Sequence, residues 1–209
     1  MDATSPGARE REHHGLLLHV CCAPCSAAAV PYWRAEGLRP EGVFFNPNVQ
    51  PLPEYDRRLR SMQGYAAAVE LPLLVEDAPD PQAWGRAVGP EWLRGGTLDG
   101  VAERRCRACV ALRLRETAWT AVARGLTRFT TTLTLSPHQR HDQIVQAGLQ
   151  AADEAGAEFL YADLRRYYRR SIDESRRWGL YRQKYCGCVA SKWDAWLDGS
   201  ARRQGRRAP

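Results

Sequence analysis

No apolar run in the 209 residues approaches the roughly 20 that a bilayer-crossing helix needs, so no membrane span is expected. Met1 to Gly15 is polar and lacks the pattern of an export signal. Lysine is almost missing: Lys184 and Lys192 are the only two, so the formal charge of +6 rests on arginine. There is no internal repeat and no low-complexity linker, which excludes solenoids and flexible multidomain arrays. A glycine-rich phosphate loop is also missing near residue 21, which argues against a nucleotide-hydrolysing site of that kind. With no export signal in view, a reducing cytoplasm is expected, where static disulfides are rare.

What the chain does have is cysteine. Cys21, Cys22, Cys25, Cys106, Cys109, Cys186 and Cys188 make seven, an odd number that cannot pair completely within one chain. They fall into three tight groups. In a reducing compartment such clustering points to metal or redox chemistry.

Apolar and β-branched runs predict strands over 16–20, 42–45, 71–75, 128–135 and 159–162. Between them, helices are expected over 26–35, 53–69, 103–123, 138–148 with a continuation towards Ala155, 168–179 and 189–197. Ala23-Pro24 reads as a turn, 77–81 as a loop, and 84–100 as mixed helix and turn. This alternation predicts an α/β fold: an open, mostly parallel sheet flanked by helices. Residues 1–15 and 199–209 are expected to be disordered tails, the second of them basic.

The first cysteine group ends the first strand and opens a helix, a place where parallel sheets bind ligands and where a helix N-terminus favours anionic sulfur. Cys22 and Cys25 have the C-x2-C spacing of a metal clip. Side chains of the adjacent Cys21 and Cys22 are expected to diverge, which leaves one of them for a second ligand or redox role. Cys106 and Cys109 lie three apart on a helix and share a face. Arg104, Arg105 and Arg107 beside them suit a thiolate cluster or RNA phosphates equally. Cys186-Gly187-Cys188 lets both sulfurs face one centre, as a ligand pair or as a labile redox pair. A cubane cluster takes four thiolates, which leaves three for another metal or for exchange; a lone structural zinc leaves three unexplained. The basic charge suits a nucleic-acid partner, although an arginine-heavy composition follows equally from codon usage. Tyr167, Tyr168, Trp178, Tyr181 and Tyr185, interleaved with arginines from Arg165 to Arg182, suit base stacking or a helix core face.

Several segments together resemble the QueH family of epoxyqueuosine reductases, from about Leu16 to Leu197. They are His19 to Pro24; Phe45-Asn46-Pro47-Asn48 with Pro53-Glu54-Tyr55; Arg105-Cys106, Cys109 and Leu112-Arg113-Leu114; Phe129 to Leu133; Ser136-Pro137; Asp163 to Arg166; and Tyr181 to Cys188. The resemblance implies a single iron–sulfur catalytic domain over 16–198, similar to nucleotide α-hydrolase and PP-loop-like folds. It implies a cobalamin-independent oxidoreductase that removes the epoxide oxygen of epoxyqueuosine in a tRNA anticodon, supplied by an external electron donor. The implied cofactors are a [4Fe-4S] cluster and an additional iron ion. On that footing Cys22, Cys106 and Cys109 are assigned to the cluster. Cys21, Cys25, Cys186 and Cys188 are assigned to the second iron or to redox exchange, and Asp163 and His19 are the candidate proton donors. The competing expectations are a zinc-dependent tRNA-binding or tRNA-thiolating α/β protein and a metal-free thiol–disulfide oxidoreductase.

Overall fold

The structure is a computed structural model and describes residues 14–76, 80–89 and 101–205. Its strands are β1 Gly15–His19, β2 Arg39–Phe44, β3 Leu73–Val75, β4 Arg128–Thr131 and β5 Glu158–Phe159. Its helices are α1 Ala23–Ala35, α2 Leu52–Ala68, α3 Pro81–Val88, α4 Val101–Ala123, α5 His141–Ala155, α6 Tyr168–Arg177 and α7 Val189–Gly205. Short 3-10 turns cover Thr132–Leu135 and Arg165–Tyr167. All strand pairs are parallel, in the order β3-β2-β1-β4-β5.

The sheet is built outward from β1. Leu16, Leu17 and Leu18 are fully buried, because a central parallel strand has a helix layer on each face. Leu16 and Leu18 pack with α1 and α2 through Val30, Trp33, Met62 and Tyr65. Leu17, pointing the other way, packs with Val110, Leu114 and Ile144 of α4 and α5. Each such leucine contributes about 2 kcal/mol of apolar burial, so the strand's register is firmly set.

The connections leave β1 for β2 and β3 on one side, then cross back to β4 and β5 on the other. The order therefore reverses between β1 and β4. Chain segments leaving the carboxyl ends of these two strands separate there and open a crevice, where open α/β sheets bind ligands. The first cysteine group and the Thr132–Leu135 turn stand at this crevice.

Two elements depart from the sequence expectation for identifiable reasons. The helix after β1 begins at Ala23, since Pro24 fits the first helical turn, where its missing N–H costs nothing. The threonine-rich stretch does not stay extended to Leu135. The Thr131 hydroxyl accepts a bond from the Leu133 amide and turns the chain into 3-10 geometry. Helix α5 starts at His141 and runs through Gly148 to Ala155, the expected continuation; a Cβ at Gly148 would meet the Phe159 ring at 2.2 Å. That glycine permits helix-on-strand packing and does not end the helix. Helix α7 continues to Gly205, past the expected end at Leu197. The expected tail before residue 14, much of the 77–81 loop and part of 84–100 lie outside the described residues. No helix among the described residues is long and apolar enough to cross a membrane.

Candidate metal centre

Cys21, Cys22 and Cys25 converge where β1 hands over to α1. Their sulfurs all lie within 4.8 Å of one another. Contrary to the expectation of divergence, Cys21 and Cys22 Sγ are 3.7 Å apart. The chain bends at Cys21 before the extended N-cap Cys22 leads into α1, which brings the two sulfurs together. Two thiolates on one tetrahedral ion at the usual metal–sulfur bond length lie about 3.8 Å apart, close to this spacing.

Hydrogen bonds from distant segments fix the trio. The Thr132 hydroxyl donates to Cys21 Sγ at 3.2 Å and accepts from the Cys21 amide at 3.0 Å. Gln183 Nε2 donates to Cys22 Sγ at 2.9 Å. The other end of that amide, Gln183 Oε1, is buried with no partner among the described residues. The Cys22 thiol is held well below its ordinary pKa by the Cys21 and Cys25 thiols, with Gln183 helping against burial. The same contact with Cys22 pushes Cys21 up to about 11. Cys25 is raised by Cys21 and Cys22 and by burial. Of the three, Cys22 is therefore the thiol that gives up its proton most readily, which suits a site that sheds protons when metal binds.

The other four cysteines form a second gathering. Cys109 and Cys188 are buried in one apolar cluster with Trp84, Val88 and Ala190. Cys106 and Cys186 are exposed. Cys106 is raised by desolvation and by nearby Cys186 and Cys188. Burial raises Cys109 to about 11, and the surrounding thiols add to it.

Two buried arginines tie these parts together. Arg113, 2% exposed, lies one helical turn beyond Cys109 and donates through Nε to the Cys109 carbonyl at 3.2 Å. Burial disfavours its charge, but Cys109, Cys186, Cys21 and Cys106 around it more than restore it. It is thus a fixed cation between the trio and the quartet. Arg58 donates to the Cys186 carbonyl at 2.7 Å, to the Tyr185 carbonyl at 3.0 Å and to Glu54 at 2.9 Å. Tyr181 completes this network with a 2.6 Å bond to the other Glu54 oxygen. Gly187 has φ +152°, and a Cβ there would meet Asn48 Nδ2 at 2.6 Å, so the residue between Cys186 and Cys188 has to be glycine.

A cavity of about 440 Å³ opens between the two gatherings, with Cys21, Cys25, Cys186, Arg113, His138, Gln139 and Tyr168 in its wall. Gln139 Nε2 reaches Cys186 Sγ at 3.5 Å.

The remaining sequence candidates sit elsewhere. His19 is fully buried at the end of β1, bonded to Thr131 Oγ1 at 2.8 Å and to the Phe45 carbonyl at 3.1 Å. A carbonyl only accepts, so Nε2 carries the proton and Nδ1 accepts the Thr131 hydroxyl. Burial lowers the His19 pKa from the ordinary 6.5 to about 4, with Arg113 adding to the effect. Asp163 follows β5, and Arg165 beside it holds the carboxylate well below its ordinary range. Neither residue is in the wall of the cavity. Arg105 is buried and ion-paired with Asp194 at 3.6 Å, tethering α4 to α7. Tyr168 and Tyr185 face the cavity, Tyr167 packs on Tyr32 at 5.8 Å, and Trp178 packs edge-on to Tyr65 at 6.0 Å.

Arg58 was not singled out by the sequence reading, and Arg113, Thr132 and Gln183 entered it only inside the segments that carry the family resemblance, with no role given to them. For Arg113 a signal existed: Cys106, Cys109 and Arg113 follow i, i+3, i+7 spacing on one helix face. Nothing local marks the other three, whose partners are more than 100 residues away along the chain or on another element.

Residues 16–194 match the family model described as Epoxyqueuosine reductase QueH. An Epoxyqueuosine reductase QueH of Dehalococcoides mccartyi is 36% identical over 179 residues, which is 86% of this chain and 93% of that protein. The Thermotoga maritima protein of the same name is 32% identical over 84% of this chain and 89% of its own. The Haemophilus influenzae one is 33% identical over 97% and 84%. With the strand-exit trio, the helix–loop quartet and a family match running from β1 into α7, this chain belongs to the epoxyqueuosine reductase QueH family.

Proposed function

We propose that the chain reduces epoxyqueuosine to queuosine in the anticodon of tRNA, in the cytoplasm, with electrons from an external donor and without cobalamin. The observation that carries this reading is the division of seven free thiols into a preformed trio and a separate quartet beside one cavity, whose wall takes in Cys21 and Cys25 of the trio and Cys186 of the quartet. The trio's spacing fits one iron ion held by Cys21, Cys22 and Cys25. Cys106, Cys109, Cys186 and Cys188 supply the four thiolates a [4Fe-4S] cluster takes. This moves Cys22 from the cluster, where the sequence reading put it, to the single ion. The orphaned Gln183 oxygen is a further group in want of a ligand there.

The reaction adds two electrons and two protons to the epoxide, breaks both carbon–oxygen bonds, forms a carbon–carbon double bond and releases water. When bound, the metal groups supply Lewis-acid polarisation of the oxygen and electrons one at a time. The protein supplies the rest. Arg113 offsets the negative charge of the sulfurs. Thr132 and Gln183 orient Cys21 and Cys22, which keeps the trio's geometry fixed. Arg58 holds the Cys186 loop against α2. His19, neutral and bonded at both nitrogens, braces the ends of β1, β2 and β4 and moves no proton. Asp163, ionised beside Arg165, has no proton to give at neutral pH. Proton delivery falls to groups in the cavity wall that carry exchangeable hydrogens, of which His138 and Tyr168 are placed for it.

The test is an anaerobic assay of reconstituted protein on tRNA carrying epoxyqueuosine, with a chemical reductant and no cobalamin. Queuosine in the nucleoside digest is the expected product. Intact cofactor without queuosine would defeat the proposal.

A further inference from the structure

Beside the cysteine cavity runs a groove of about 630 Å³ between the start of α2, the 181–185 segment and α7. Both lysines of the chain, Lys184 and Lys192, are in its wall, with Arg57 and Arg182. All four side chains are exposed. The one acid in the wall, Glu54, is already taken up by Arg58 and Tyr181 at 2.9 and 2.6 Å. The groove therefore presents net positive charge.

Aromatic faces alternate with these cations. The Tyr185 ring lies under the Arg58 guanidinium at 5.3 Å and near Lys192 Nζ at 6.0 Å. Trp196 enters the groove from α7 and stacks on Trp193, with centroids 5.1 Å apart and planes 29° from parallel. The two indoles are 56% and 52% exposed. An outward tryptophan stack beside a run of cations matches what single-stranded nucleic acid requires: ring faces for bases and point charges for phosphates. The groove and the cysteine cavity share Arg182, Lys184 and Tyr185, so a strand lying along one has its next nucleotide at the mouth of the other.

Resting on the function proposed above, we infer that this groove holds the sugar–phosphate run flanking the reacting nucleotide. Lys184 and Lys192 take phosphates and Trp196 stacks a flanking unpaired base. The occupant is single-stranded RNA, in keeping with the aromatic faces, which an acidic peptide has no use for.

The test is anaerobic fluorescence anisotropy of the full-length protein with a synthetic anticodon stem-loop RNA carrying guanine at the first anticodon position. Lys184→Ala/Lys192→Ala is expected to bind about tenfold more weakly at physiological salt, and its log–log salt slope to fall by about 1.4, or 0.7 per phosphate contact. Trp196→Ala is expected to bind about tenfold more weakly with the parental slope, as loss of stacking requires. Arg115→Ala, exposed on α4 and outside the groove, should stay within twofold of the parent. Groove variants with parental affinity and slope, or displacement of the RNA by polyglutamate of matched charge, overturn the inference. Groove-dependent RNA binding without turnover of epoxyqueuosine would defeat the reaction and leave the groove standing. Turnover and binding that ignore the groove variants would do the reverse.

Discussion

The trio at the exit of β1 and the quartet between α4 and the start of α7 both reach one cavity, through Cys21 and Cys25 on one side and Cys186 on the other, but they are built differently. The trio lies within five residues and is shaped by the sheet, with bent backbone, Cys22 and Cys25 buried and hydrogen bonds already in place. The quartet draws on segments about 80 residues apart, and two of its sulfurs are exposed. A site of the first kind is formed by the fold. One of the second kind is closed by its ligand, since metal–thiolate bonds contribute to folding free energy.

The sharpest way to separate them is by cysteine replacement. Cys109→Ser is expected to abolish the visible iron–sulfur absorbance and reduce activity by about a thousandfold or more. Cys22→Ser should keep that absorbance, lose one iron per chain and be as inactive. Loss of the band from both variants would merge the two sites into one. Zinc in place of iron, in colourless protein, would undo the assignment of both.

Next in size is Arg58→Met. Removing a buried cation leaves one Glu54 oxygen and two carbonyls unsatisfied, which costs about 3–5 kcal/mol in urea denaturation. The loosening should fall on the quartet: Cys186 and Cys188 become more reactive to a thiol reagent while Cys22 does not change.

His19 gives a pH test of the trio's scaffold. Its folded pKa of about 4 lies below the ordinary 6.5. The unfolded chain therefore binds the extra proton first as pH falls. The stability His19 contributes is full above about pH 6.5, is lost as pH falls towards 4, and totals about 3 kcal/mol. Metal-free protein should show this slope in denaturant melts at graded pH, and His19→Asn should flatten it.

The smallest effect is expected from Gln183→Ala, which removes a bond to Cys22 but no ligand. About a tenfold loss of metal affinity, read by chelator competition, fits an orienting partner. No change would make Gln183 a bystander.

The same contrast explains what the sequence made legible. The three leucines of β1, the strand–helix alternation and the C-x2-C spacing are local, and they located the sheet and the trio's position. The trio's internal geometry was misjudged, because the bend at Cys21 depends on where α1 starts. The Thr131 turn was read as strand, since β-branched composition outweighed a hydroxyl-to-amide bond visible only in three dimensions. Arg58, Thr132 and Gln183 act across long sequence separations, and no period reports such partners. The Trp193–Trp196 stack passed unnoticed because spacing alone does not distinguish an outward aromatic pair from a core one.

Arg113 has one further consequence. A guanidinium keeps its proton at any pH a cell reaches. Buried at 2% exposure among Cys109, Cys186, Cys21 and Cys106, it is a permanent positive charge that favours anionic over neutral sulfur around it. A neutral side chain in its place would leave any thiolates gathered here to repel one another, so this one residue sets how much negative charge the interior can hold.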